Sequence, residues 1–152
     1  MTTTLTTVLQ RRFSLSDELY VDLVAGLPPG ALARRLGELP SNAIGAQLWC
    51  VLGARESYVR AARAGGWQGF TSPVTAAEAT DAAALHSAFV TTSATVAGFL
   101  DELDADDEQA LTYALALLEH ETQHHGQLIR YLYGLGMARP SSWQRRYALD
   151  GD

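Results

Sequence analysis

Apolar residues recur at helical spacing through four long stretches of the chain, with turn-forming residues between them. From about Thr4 to Leu27 the seam is Leu5, Leu9, Leu19, Leu23 and Leu27, interrupted by Arg12 and Ser16. That pattern fits one helix or two pieces broken near Ser14. Leu27-Pro28-Pro29-Gly30 ends the segment, because neither proline can extend a helix. Ala31 to Gly37 has room for one or two helical turns before Pro40.

A second helix is predicted from Ser41 or Asn42, both good N-caps after a proline, to about Ala64. Ile44, Leu48, Val51, Tyr58 and Ala62 form its apolar face. Beside them runs a seam of Gln47, Cys50, Ala54, Ser57 and Ala61, small enough for a neighbouring helix to come close. Residues 65–70, Gly-Gly-Trp-Gln-Gly-Phe, break the helix and leave a loop with Trp67 and Phe70 as aromatic anchors. The capping box Thr75-Ala76-Ala77-Glu78 predicts the start of a third helix running to about Leu103. Its seam is Ala82, His86, Phe89, Ser93, Val96, Leu100 and Leu103, which makes His86 a hydrogen-bonded core residue before it is a ligand.

The fourth helix is predicted from about Asp107 to Leu135, after an acidic first turn that suits the helix dipole. Its polar face is Glu108, Thr112, Glu119, Gln123, Gln127 and Arg130. A broad apolar arc carries Leu111, Leu115, Leu117, Leu118, Leu128, Ile129 and Leu132. The remainder, from Arg139 on, is short and polar and is expected to pack only through Trp143 and Tyr147. Four amphipathic segments without an alternating strand predict an all-α fold, an up-down-type four-helix bundle formed as a single domain over residues 1–152.

Composition narrows the partners. Net charge is −6 and all eleven cations are arginines, which argues against nucleic acid and against an anionic membrane surface. Cys50 is the single cysteine, so no internal disulfide forms and a reducing compartment is expected. The start, MTTTLTTVLQRR, lacks the basic and apolar regions of a signal peptide, and no apolar run is expected to reach bilayer length. The expectation is a soluble, cytoplasmic protein.

Polar chemistry concentrates in His120-Glu121-Thr122-Gln123-His124-His125-Gly126-Gln127, on the fourth helix. Residues four apart share a helix face, so His120 and His124 can aim two imidazoles at one ion. The plainer alternative is a half-exposed pair on a helix border. The string also fits H-E-x-x-H, but a small all-helical chain leaves little room for a peptidase cleft. Glu121 is rotated towards the buried side, where His125 or Arg55 could pair with it. Arg55 itself lies on the apolar face of the second helix, where an unpaired guanidinium would be costly. Cys50 has two readings: a thiolate completing a Cys-His-His set, or a small buried hydrophobe.

This arrangement resembles the DinB-like superfamily. The resemblance rests on four helices, a polar residue within Gln47-Leu48-Trp49-Cys50 of the second, and His120-x-x-x-His124-x-Gly126-Gln127 in the fourth. The stretches Ser41 to Gly45 and Gly136 to Trp143 are also similar. It implies a metal-binding four-helix bundle, often dimeric, holding a nickel-, zinc- or iron-type divalent ion with three histidines. By position, His120 and His124 match the two fourth-helix ligands, while the second-helix histidine of the family falls at or near Cys50. The implied function is a divalent-metal-dependent enzyme using a low-molecular-weight thiol, a transferase or hydrolase, with zinc or nickel in a Cys50-His120-His124 site. His125, Glu121, Arg55 and Gln47 would then line the pocket or support the ligands. The alternative is a non-catalytic bundle that binds a small ligand or protein partner through a degenerate metal site.

Overall fold

The computed structural model describes residues 4–151. Five α-helices form: α1 (Leu5–Gly26), α2 (Ile44–Ala64), α3 (Ala82–Glu102), α4 (Glu108–Gly134) and α5 (Ser141–Tyr147). Two 3-10 turns, Ala31–Ala33 and Glu78–Thr80, sit in the connections, and no strand occurs among the described residues.

α1 is continuous through Ser14. Ser16 does not interrupt its inner seam but belongs to it, buried with Leu9, Phe13, Tyr20 and Leu23 because its hydroxyl finds polar partners inside. The start of α2 is later than its sequence suggests. Ser41 bonds the hydroxyl of Tyr131 rather than the helix, and the Ile44 N–H donates to the Arg34 carbonyl at 3.0 Å, leaving Ala43 at the N-cap with no side-chain bond.

The Thr75-Glu78 box does form, with Thr75 N–H donating to Glu78 Oε2 at 2.7 Å and Glu78 N–H donating to Thr75 Oγ1 at 3.3 Å. It closes only the 3-10 turn. α3 begins after Asp81, whose carboxylate accepts from Ala83 and Ala84 N–H at 2.9 and 3.2 Å. The buried face of α3 is also rotated from the predicted seam: Leu85, Ala88, Phe89, Thr92, Val96, Phe99 and Leu100 point inward, and His86 is exposed. The core role expected for His86 is therefore wrong. On α4, Leu115 lies outside the core at 42% exposure, while Tyr131 joins it.

Two apolar clusters fix the direction of each helix. One gathers the C-terminal half of α1, the N-terminal halves of α2 and α3, and the C-terminal half of α4; the other gathers the opposite halves. The helices therefore run up, down, down and up, with α1 packed mainly on α3 and α2 on α4. α2 and α3 share a direction, so residues 65–81 must return along a helix roughly 30 Å long. Gly45 lets that return pass close, since a Cβ there would lie 2.0 Å from the Ala79 carbonyl oxygen. Phe70 likewise sits over Gly53 and against Trp49, whose indole N–H donates to Val74 O at 2.9 Å.

α3 corrects one further expectation. Its 21 residues, with a mean hydropathy of 1.3 over the spanning window, are long and apolar enough by composition to cross a bilayer. Much of that apolarity comes from Leu85, Phe89, Val96, Phe99 and Leu100, which are buried against the bundle. The C-terminal segment does more than was expected of it. α5 delivers Trp143, fully buried, whose indole N–H donates to Leu19 O at 2.7 Å.

Candidate metal centre and the buried network beside it

α2 and α4 pack side by side, and each offers donors to the seam between them. Cys50 comes from α2; His120 and His124 come from successive turns of α4. One ligand atom from each of the three lies within 4.8 Å of the others. Cys50 Sγ is 3.5 Å from His120 Nε2, and the two imidazole centroids are 4.8 Å apart. Zinc bonds of about 2.3 Å to sulfur and 2.0–2.1 Å to nitrogen place ligand atoms roughly 3–4 Å from one another, so the cluster is nearly drawn to size.

The donor set suits a borderline-soft divalent ion. Burial, with Glu121 opposing, lowers the His120 pKa, and burial together with neighbouring His120 lowers that of His124 to about 4. Both rings are neutral near pH 7 and have lone pairs to give. Burial raises the Cys50 thiol, so binding an ion there would release its proton. His120 Nδ1 and His124 Nδ1 are buried without hydrogen-bond partners, which leaves both rings short of the polar contact that buried nitrogen normally has.

Glu121 faces away from this cluster into a second network, in which Arg55 and Glu121 themselves are fully buried. Its carboxylate grips the Arg55 guanidinium in a bidentate pair, Nε donating to Oε1 at 2.6 Å and Nη2 to Oε2 at 3.1 Å. Asp17 meets Arg55 Nη2 at 2.8 Å from the other side. Arg55 also donates to Ser93 at 3.1 Å and lies 5.3 and 5.6 Å from the ring centres of Phe89 and Tyr20. Burial works to lower the Arg55 pKa, but the two carboxylates outweigh it and hold it above the ordinary value. Of the two partners open to Glu121 in the sequence, Arg55 is the direct one.

His125 reaches Glu121 only through Ser16. Ser16 donates to Glu121 Oε2, lies 3.2 Å from His125 Nε2, and His125 Nδ1 lies 2.7 Å from the Tyr147 hydroxyl. A carboxylate can only accept, so one direction is self-consistent: Tyr147 O–H to Nδ1, Nε2–H to Ser16, Ser16 O–H to Glu121. Burial pushes the His125 pKa down to about 4, with Glu121 opposing and Arg55 and Arg146 adding to the drop.

Gln47, on α2 one turn before Cys50, is buried beside His124. The structure thus brings Cys50, His120 and His124 together, places Gln47 next to them, and sets Glu121, Arg55 and His125 in a separate network. Asp17, Ser16, Tyr20 and Tyr147 complete that network; the sequence marked Ser16 only as a break in the α1 seam and Tyr147 only as a packing residue, and Asp17 and Tyr20 not at all. Ser16 and Tyr20, four apart on an apolar seam, carried a signal; Tyr147, on a different helix, carried none. No family model matches the chain, nor does any characterised protein or solved structure.

Proposed function

We propose that the protein is a divalent-metal-dependent enzyme of the DinB-like kind, working as a homodimer on a small thiol in a transferase or hydrolase reaction. One observation carries the reading: donor atoms of Cys50, His120 and His124, from two helices, converge within 4.8 Å. Such an ion would act as a Lewis acid and lower the pKa of a thiol or water held beside it. The chain's own residues would do the rest. Neutral His120 and His124 supply lone pairs, Cys50 gives up its proton to bind, and the Arg55–Glu121 pair holds α4 in register so that both histidines face α2.

The non-catalytic alternative also has an observation behind it. Neither histidine Nδ1 has the partner that usually orients a ligating imidazole.

Elemental analysis and zinc or nickel titration of protein purified without a histidine tag separate the two. One ion per chain is expected, with binding weakened by about a hundredfold in Cys50→Ala and kept in Cys50→His, while helical circular dichroism is unchanged. Wild-type protein that takes up no ion after dialysis against zinc or nickel overturns the proposal. Cys50→Ala binding as tightly as the parent removes the three-ligand site.

A further inference from the structure

One end of the bundle holds a cavity of about 370 Å³ between the α1–α2 connection and the last turns of α4. Its inner wall includes Gln47 and His124, its apolar wall includes Leu36 and Leu39, and Arg130 is the only charged residue among the described residues that line it. Three features of this wall point to the ligand.

Gln47 is 2% exposed. Its Nε2 donates to Asn42 O at 3.3 Å, but its Oε1 is buried without a partner. A buried carbonyl oxygen left unpaired is costly, so a ligand N–H or O–H that reached it would be strongly held. Arg130 is exposed and makes no ion pair among the described residues. With no carboxylate among the described residues of the wall to neutralise it, a planar bidentate anion is its natural partner. The two polar ends are set apart. Arg130 follows His124 by six positions on α4, roughly 9 Å along the axis, and its Cα–Cβ bond leans back towards His124.

We propose that this cavity binds a small carboxylic acid whose far end carries a hydroxyl or N–H donor. The carboxylate pairs with Arg130, the donor bonds Gln47 Oε1, and the stem lies on Leu36 and Leu39. The donor end then sits beside His124, which belongs to the candidate metal centre, so what that end meets rests on the metal reading; the binding itself does not.

The test uses ω-hydroxy acids of three to five carbons, with γ-hydroxybutyrate as the middle member, titrated calorimetrically into the full chain with and without zinc. Saturable binding is expected for at least one acid, and the matching unbranched acid without hydroxyl and alcohol without carboxylate should each bind about tenfold more weakly. Arg130→Ala should weaken the hydroxy acid by about tenfold or more. Gln47→Leu should reduce it to the affinity of the acid lacking the hydroxyl, with Gln47→Met as the substitute if circular dichroism shows that Gln47→Leu does not fold. No binding of any of the acids at roughly 50 mM overturns the proposal, as does binding indifferent to both substitutions. Acid binding with a flat zinc titration would leave the cavity standing and the metal centre fallen. Stoichiometric zinc without acid binding would do the reverse.

Discussion

Arg55 is the residue with most at stake, because a fully buried guanidinium is tolerable only while its carboxylates are in place. Arg55→Met should lower the unfolding free energy by about 3–5 kcal/mol, since it strands Glu121 and Asp17. Arg55→Met with Glu121→Leu should recover a large part of that loss, and urea unfolding of the four proteins in the cycle measures the coupling. A double variant no more stable than the worse single one would show that the pair is not the source. The histidines set a pH dependence. In the unfolded chain each takes a proton near pH 6.5, whereas folded His125 and His124 stay neutral down to about 4. Between those values the unfolded state binds more protons, so stability falls as pH drops from about 6.5 to 4, by roughly 3 kcal/mol for His125 alone. Above 6.5 this contribution is fully present. Asp17, raised by burial despite Arg55, takes its proton earlier in the fold than in the unfolded chain and offsets part of the loss at the acid end. Urea midpoints followed over this range should slope in metal-free wild type and slope less in His125→Gln; equal slopes would show that His125 is not responsible.

At the scale of elements, the ends of helices were settled by competition for hydrogen-bond partners. Asp81 satisfies two orphan N–H groups of α3, whereas the Thr75-Glu78 box stabilises a single turn. Asp81→Ala should therefore cost about 1 kcal/mol and Thr75→Ala clearly less. Thermal unfolding of the two variants checks the order, and a larger loss for Thr75→Ala would make the box the true start of α3. α5 matters out of proportion to its length. Trp143 packs edge-on against both Tyr20 and His125, at centroid distances of 6.5 and 5.3 Å, and Tyr147 supplies the hydroxyl that faces His125 Nδ1. A short helix thus closes the network that α1, α2 and α4 open.

For the whole molecule, the up-down-down-up order places the apolar halves of four helices in two clusters with the polar residues between them. The small-residue seam of α2 is used up inside this arrangement: Gln47, Ala54, Ser57 and Ala61 are buried within the chain. It cannot serve the proposed homodimer, which must draw on residues left outside. Trp67 and Phe70 are 52% and 43% exposed although each leans on an aromatic neighbour, and Val90 is 53% exposed on α3. Sedimentation at tens of micromolar, where specific dimers usually persist, should give a dimer that weakens in Trp67→Ser. A monomer at that concentration sinks the proposal.

The four long helical segments, the turn residues between them and the exposed face of α4 were legible in the sequence because each depends on spacing within one segment, whereas the later start of α3 and the short helix α5 were not. Legible too was the pairing of His120 with His124, which a single helix fixes by its own pitch. Arg55 declared itself in part, since a cation on an apolar face demands a partner. What no local pattern held was which segments meet. Cys50 reaches His120 only because α2 packs on α4, and Asp17, Ser16 and Tyr147 reach the Arg55 network only because α1 and α5 close over it. His86 left the core for the same reason: the face of a helix that is buried is chosen by its neighbours, and on an alanine-rich helix such as α3 a small rotation changes which side chains are covered. The chain's periodicity determined the helices; their packing decided the direction of α3, the company of Cys50 and the cavity beside His124.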